Sequence, residues 1–424
     1  MCVYSAKRPD LREDLVSTSI ENFRRQFQPH LNEFIQTKLV SYRNLNDDPF
    51  LTSILDYLAA MGQGSGKRIR PYVAWITYRA FSKSPGSNVF PALVSLELFH
   101  LFCLVHDDVI DRGTQRYGMP TIQRFVASRL FEEGRPGHAD HIGNAHALLL
   151  GDLLFAWSHE ALHSCRDFDT PSHNHACTYF QNMIAEVLVG QMIDVDMTSR
   201  RETSLEVIRR KLALKTASYT FIRPMQIGAA LAGNNDCEDW CHEFGLALGL
   251  AFQLQDDLLD LIAPSQTTLK TSLSDLREGQ HTYFTQYVFE YGSERQKTEL
   301  RALLGADLGE GDHTHVIEFF ESSGAIEHGR GEIERYMRCT EELLASGPLP
   351  SESQPDFLAL IQMLRARSPF TALTLSAPLT DGASLTDGAS VDTLQNGASS
   401  NAASHSTASS NAASALEATK PQLV

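Results

Sequence analysis

The chain is short of cysteine, proline, glycine and positive charge. Its seven cysteines in 424 residues, Cys2, Cys103, Cys165, Cys177, Cys237, Cys241 and Cys339, are odd in number and scattered. They form no disulfide framework and fit a reducing compartment. Gly 27 and Pro 17 are too few for a collagen-like chain. Lys+Arg 36 against Asp+Glu 52 leaves a net charge of −16, the wrong sign for a general nucleic-acid binder. An acidic chain that handles anions needs metal ions. The most apolar stretches, 101–105 and 244–254, fall well below the roughly 18 residues of a spanning helix. The opening MCVYSAKRPD has no apolar leader core and the closing PQLV no prenylation box. The expectation is a cytoplasmic protein with no transmembrane segment.

Strand-like alternation is scarce, and helical periodicity fills the space it leaves. Windows at 54–61, 89–111, 145–164, 177–197, 204–220, 239–261 and 357–367 carry apolar residues at i, i+3 and i+4. Gly, His and Pro at 132–143 interrupt the pattern as a loop. This predicts one all-α domain, residues 1–369. From 371 onward, 35 of 54 residues are Ala, Ser, Thr, Asn or Gly and none is aromatic. LTDGAS occurs twice there, at 379–384 and 385–390, and so does SSNAAS, at 399–404 and 409–414. Such a segment cannot offset its ordering entropy, so residues 370–424 read as a disordered low-complexity tail.

Two DDxxD clusters lie inside apolar helical windows, at 107–111 and 256–260. Residues four apart lie 400° round a helix, so Asp107 and Asp111 share a face, as do Asp256 and Asp260. Clustered carboxylates repel unless protonated or neutralised by a hard cation. Mg²⁺ is the usual choice when phosphates complete its shell. One such cluster is as easily a solvated helix end; two make accident a poor account. A joint site requires the bundle to bring them together across its core. Phosphate-binding residue types accompany them: Gly66-Lys67-Arg68-Ile69-Arg70-Pro71, Arg112, Arg116, Lys215-Thr216 and Lys270.

With these motifs the chain resembles the trans-isoprenyl diphosphate synthases, the polyprenyl synthetase family that includes geranylgeranyl and farnesyl diphosphate synthases. GKRIRP at 66–71, HDDVIDRG at 106–113, GMPT at 118–121, GDLLFAW at 151–157, GQMID at 190–194, FQLQDDLLD at 252–260 and SDLREG at 274–279 occur in family order. The resemblance is strong over 50–290 and absent from the tail. It implies a large antiparallel helix bundle around a deep central cavity, a homodimer, and three Mg²⁺ ions per active site. It also implies head-to-tail condensation of isopentenyl diphosphate with an allylic diphosphate. Asp107, Asp111 and Asp256 would then be metal ligands, with Asp108, Asp257 and Asp260 supporting metal or water. Arg116, Lys215 and Lys270 would hold the allylic diphosphate. Thr216 and Gln253 would line the cation site, and Lys67, Arg70 and His100 would bind isopentenyl diphosphate. His100 lies seven residues before Asp107, 700° back, so helical geometry places it on the aspartate face independently.

Two positions depart from the family pattern. Tyr117 stands where a second arginine is usual, and Gln280 where a lysine is usual. Weaker homoallylic binding, or a changed second substrate, is expected. In this family the bulky residue five before the first DDxxD sets product length, which is Phe102 here. A helical wheel instead puts Cys103 and Phe99 nearer the aspartates. The family rule is followed here, and one aromatic at Phe102 with the small Cys103 next to it favours a short product, geranylgeranyl (C20) ahead of farnesyl (C15). Two other functions fit parts of the sequence. A class I terpene cyclase would use Asn235, Asp236, Asp239 and Glu243 as a second metal motif, although GNND reads as turn and helix cap. A catalytically weak regulatory subunit would explain Tyr117 and Gln280 but not six intact motif aspartates. Cys237, Cys241 and His242 have a loose zinc-like spacing without a second half. His138, His141 and His146 read as solvated loop histidines, and Gly309-Glu310-Gly311 as a turn.

Overall fold

Helices with apolar stripes are stable only against one another, and the described part of this chain consists almost wholly of them. The computed structural model describes residues 11–64, 66–83, 88–200, 203–262 and 273–366. In chain order the helices are α1 (Leu11–Arg43), α2 (Pro49–Gln63), α3 (Ile69–Phe81), α4 (Phe90–Ile110), α5 (Ile122–Glu132), α6 (Ala139–His163), α7 (Thr170–Ser199), α8 (Leu205–Leu212), α9 (Arg223–Leu231), α10 (Glu238–Ile262), α11 (Ser274–Arg277), α12 (Tyr283–Tyr291), α13 (Glu294–Leu303), α14 (His313–Ser322), α15 (Ala325–Ser346) and α16 (Gln354–Ala366). Among the described residues the sole strands are β1 (Gln115–Arg116) and β2 (Met119–Pro120), a hairpin closed by Tyr117-Gly118.

Local chemistry sets many of the helix ends. Asp48 caps α2 by accepting the Phe50 N–H, with Pro49 opening the helix. Asp169 does the same for α7 through Ser172. Thr282/Thr285 and Ser293/Gln296 form reciprocal capping boxes on α12 and α13. The predicted windows 89–111 and 239–261 coincide with α4 and α10 to within a residue or two. The expected loop at 132–143 is shorter, because the helix restarts at Ala139 directly after Pro136-Gly137.

α4 is apolar on nearly all sides and is therefore the central helix. Leu93, Leu96, Leu98, Phe99 and Leu101 are all buried, each contributing about 1.5–3 kcal/mol of transfer free energy. α4 packs on α6, α3 on α9, α7 on α9, and α10 on α15. One continuous hydrophobic core joins these contacts.

The window 204–220 is not one regular helix. After α8 the chain widens into ten residues of π-helix, Ala213–Ile222, before α9 resumes α geometry. Such segments are rare and concentrate at functional sites. This one is wedged between α7 and α10. A Cβ on Gly190 of α7 would lie 2.7 Å from the Lys215 nitrogen, and one on Gly249 of α10 would lie 2.4 Å from Ala217 Cα. Backbone contacts that close require glycine. The predicted boundary at 369/370 and the tail 370–424 lie outside the described residues.

Candidate functional site

Phe99, Cys103 and Asp107 recur every four residues and stack along one face of α4, with His100 beside them. Asp107 Oδ1 accepts a hydrogen bond from Gln191 Nε2 of α7 at 2.9 Å, and Lys215 Nζ lies 3.8 Å from the same oxygen. Asp111 caps the helix. Burial and the neighbouring Asp107 push its carboxyl up to about 7, against the pull of Lys215. Asp108 faces the other way and is buried. Its carboxylate receives Arg116 Nε at 3.1 and 3.2 Å and a second guanidinium nitrogen. Arg116, expected at the allylic diphosphate, is thus held by Asp108 in this structure. The β1–β2 hairpin brings Arg116 back to Asp108, and Gln123 of α5 donates its Nε2 to the carbonyls of Asp108 and Gly113 at 2.8 and 3.0 Å.

The second cluster rides on α10. Asp256 is half-buried, whereas Asp257 is buried and accepts Gln253 Nε2 at 2.8 Å. Burial pushes the Asp257 carboxyl up to about 6, although Lys211 opposes this. Gln253 Oε1 in turn accepts the Thr216 hydroxyl at 2.8 Å, giving a directed chain from the π-helix to α10. Asp260 caps α11, accepting the Ser274 hydroxyl at 2.6 Å and the N–H groups of Ser274 and Asp275. It thereby anchors the segment 274–279.

Between the two clusters lies Asp194 of α7. Lys211 and Lys215 donate to its two oxygens at 2.9 and 2.6 Å. Burial alone would raise the Asp194 carboxyl, but the two ammonium groups outweigh it and hold the pKa below its ordinary value. Lys215 is raised: burial opposes its charge, and Asp194 and Asp107 more than compensate.

A cationic group stands beside α4. Arg70 of α3 lies over the Tyr219 ring at 3.9 Å, and the Tyr219 hydroxyl is 2.8 Å from His100 Nδ1. Burial, then Arg70, Arg68 and Arg116, hold His100 well below its ordinary pKa, so it is neutral. The Arg70 Nε is buried with no hydrogen-bond partner among the described residues, as expected of a donor awaiting an anion. Arg68 has a structural role instead. It is buried, pairs with Glu97 and donates to the carbonyls of Gly62 and Gly64 at 2.7 and 3.0 Å. Lys67 is exposed at the start of α3. Tyr117, at φ 54° in the hairpin turn, senses the charges of Glu97, Arg116, Arg70 and Arg68. Lys270 lies outside the described residues.

Below the charged groups the wall is aromatic. Phe99 meets Phe180 at 5.7 Å and Tyr219 at 5.9 Å. Phe102 turns toward α6, packing on Phe155 at 5.2 Å and His106 at 4.6 Å. Cys103 shares its surroundings with Tyr219, Arg70, Asp107 and Lys215, and burial pushes its thiol up to about 12, making it a small neutral filler. Cys103 and Phe99 thus stand on the aspartate side of α4, where the helical wheel puts them, whereas Phe102, the residue that the family rule singles out, packs toward α6 with Phe99 against it at 5.3 Å.

Tyr219, Glu97, Asp194 and Lys211 are site residues that sequence reasoning did not single out. Glu97 had a readable signal, a lone acid in the apolar run SLELFH that must find a buried cation. Among the described residues no three His, Cys, Asp or Glu side chains converge closely enough to hold an ion alone. The donor set still fits Mg²⁺, which binds through one or two carboxylates with waters and substrate phosphates. Burial first and Asp107 second hold the Asp111 carboxyl up, and a cation between the two aspartates would relieve both. The alternative metal motif fails on distance. Glu243 is thirteen residues from Asp256 on α10, about 20 Å along the axis, so Asn235 to Glu243 sit at the opposite end of the helix. Cys237 and Cys241 lie there too, with sulfurs 3.9 Å apart.

Comparison with known proteins gives concordant results. Residues 48–320 match the family model described as Polyprenyl synthetase. A short chain isoprenyl diphosphate synthase of Methanocaldococcus jannaschii is 31% identical over 284 residues, covering 66% of this chain and 78% of the relative. A geranylgeranyl diphosphate synthase of Methanosarcina mazei is 29% identical over 297 residues, covering 66% and 82%. The crystal structure of geranylgeranyl pyrophosphate synthase from Corynebacterium glutamicum, complexed with isoprenyl diphosphate and magnesium, aligns with a TM-score of 0.76 at 27% identity, covering 82% of this chain and 98% of that one.

Proposed function

Since the chain belongs to the polyprenyl synthetase family of prenyltransferases, we propose that it condenses isopentenyl diphosphate head to tail with an allylic diphosphate, using three Mg²⁺ ions, to give an all-trans C20 product ahead of a C15 one. The observation that carries this reading is the juxtaposition of Asp107 and Lys215, 3.8 Å apart above an aromatic wall. A carboxylate for a metal and an ammonium for a phosphate stand side by side above apolar side chains suited to a prenyl chain.

Asp107, Asp111 and Asp256 would hold the metal, and Mg²⁺ would supply Lewis-acid charge to the leaving diphosphate. Asp108, Asp257 and Asp260 support it indirectly, by fixing Arg116, Gln253 and the 274–279 segment. Lys215 binds the allylic diphosphate, with Arg116 and Lys270 assigned alongside it. In the reaction the allylic C–O bond breaks and the diphosphate leaves with the electron pair. The alkene of isopentenyl diphosphate forms the new C–C bond, and the proton it loses goes to the departing diphosphate. Thr216 spends its hydrogen on Gln253, so it offers lone-pair density, which suits an allylic cation. Lys67, Arg70 and His100 hold isopentenyl diphosphate, with Tyr117 contributing one hydrogen bond in place of a guanidinium. Phe99, Phe180 and Tyr219 exclude water.

A homodimer accompanies this reading. Leu148 and Leu149 on α6 and Leu188, Val189, Met192 and Val195 on α7 are exposed, an apolar surface of the kind that subunits cover. No helix among the described residues is long and apolar enough to cross a membrane, and we assign the enzyme to the cytoplasm. The test is product analysis with purified protein, Mg²⁺, labelled isopentenyl diphosphate and dimethylallyl, geranyl or farnesyl diphosphate. A discrete C20 or C15 alcohol after dephosphorylation, lost in Asp107→Ala, is expected. A cyclic hydrocarbon, or no elongation from any primer, would overturn the proposal.

A further inference from the structure

One buried charge in the site has no role in the scheme above. Lys211 closes α8 with a side chain only 8% exposed, and its partner Asp194 is 7% exposed. A buried ammonium costs several kcal/mol of desolvation unless it is well partnered. Lys211 Nζ has Asp194 Oδ1 and the His281 carbonyl, each at 2.9 Å. The second Asp194 oxygen is taken by Lys215, which is more open at 29% exposed and reaches toward Asp107. Two ammonium groups therefore share one carboxylate. Within this triad one positive charge exceeds what Asp194 neutralises, and the difference in exposure puts it on Lys215, whose other acidic neighbour, Asp107, stands farther off at 3.8 Å. With an apolar residue at 211, Asp194 and Lys215 would close into a neutral pair. The surplus would vanish from the point where an anion has to be met.

We infer that Lys211 is a positioning residue for diphosphate binding, neutralising Asp194 so that the charge of Lys215 is available to the substrate. This rests on the reading of Lys215 as a diphosphate ligand. The competing view is that Lys211 merely ties α7, α8 and the chain at His281 together.

Titration of the full-length protein with inorganic pyrophosphate in Mg²⁺, alongside steady-state kinetics, separates the two. Lys211→Met should weaken pyrophosphate binding by about tenfold and raise KM for the allylic diphosphate by a similar factor. KM for isopentenyl diphosphate, held by the separate Arg70–His100 group, should stay within about twofold. Lys211→Arg, which keeps the charge, should stay near wild type. Lys211→Met combined with Asp194→Asn should recover most of the lost affinity, because no carboxylate then competes for Lys215. A strut would give the opposite result, with the second substitution adding damage. Unchanged pyrophosphate affinity in folded Lys211→Met, or a double variant no tighter than the single one, overturns the inference. If Lys211→Met does not fold, Lys211→Gln is judged by the same outcomes. Wild-type protein that binds no pyrophosphate in Mg²⁺ would instead overturn the diphosphate reading of the site, and this inference with it.

Discussion

The hydroxyl of Tyr219 stands 2.8 Å from Nδ1 of His100, while the guanidinium of Arg70 lies 3.9 Å above the same ring. One aromatic side chain thus aligns two of the three groups assigned to isopentenyl diphosphate, and it reaches them from the π-helical segment. Tyr219→Phe keeps the ring under Arg70 and removes the hydrogen bond. KM for isopentenyl diphosphate should rise about 5–10-fold, the worth of one such bond, with KM for the allylic substrate little changed. Equal effects on both substrates in steady-state kinetics would contradict this division of labour.

Asp111 makes a prediction about stability and pH. Its carboxyl is raised from 3.8 to about 7 by burial and by Asp107. A group raised in the folded state stabilises it below the unfolded pKa, and that contribution is lost as pH climbs through about 7. The metal-free protein should therefore lose melting temperature between about pH 4 and pH 7, with no further loss from this group above that. Mg²⁺ with pyrophosphate should restore more of it at pH 8 than at pH 6. Asp111→Asn should melt higher than wild type without metal at pH 8 and gain less from Mg²⁺ with pyrophosphate, since Asp107 and Asp256 remain. A lower melting point for Asp111→Asn under those conditions would remove the electrostatic account.

The π-helix can be probed from its backing. A methyl at Gly249 would press on Ala217 Cα at 2.4 Å, a backbone atom that has no room to yield. Gly249→Ala should cost about 1–3 kcal/mol and lower turnover by moving Lys215 and Thr216. Gly331 is the control. It sits within α15 with nothing within 4 Å of an added Cβ, so Gly331→Ala should gain about 0.5–1 kcal/mol. Thermal unfolding of the two variants distinguishes close packing from a general intolerance of alanine.

These residues also mark how far the sequence could be read. α4 and α10 were legible because apolar periodicity is local, and so was the proximity of Asp107 and Asp111, since four-residue spacing fixes their face; that Asp260 turns to cap α11 was not. The π-helix was not legible. It depends on glycines at 190 and 249, contributed by two other helices, and no local pattern at 213–222 records them. Arg68 belonged to the expected phosphate motif yet serves Glu97, 29 residues away. Lys211 was not singled out, because nothing in VIRRKL separates it from Arg209 and Arg210, and its partners, Asp194 and the His281 carbonyl, are 17 and 70 residues away. The spacing of Asp108 and Arg116 gave no warning of their pairing, because a hairpin with two-residue strands leaves little pattern in sequence.

Product length turns on which side chain closes the space under Asp107. Cys103 lies one turn below that aspartate and Phe99 one turn further, against Phe180 and Tyr219. Phe102 is spent on Phe155 and His106 at the α6 side. Phe99→Ala should therefore yield prenyl chains longer than the wild-type product. Cys103→Phe should stop the chain one C5 unit or more earlier. Phe102→Ala should cost stability, about 3–5 kcal/mol for a buried aromatic, with little change in the product distribution. Chromatography of dephosphorylated products, read beside the melting temperature of each variant, tests the assignment. If Phe102→Ala lengthens the product while Phe99→Ala does not, the growing chain runs along the α6 side of α4 and the floor belongs to Phe102.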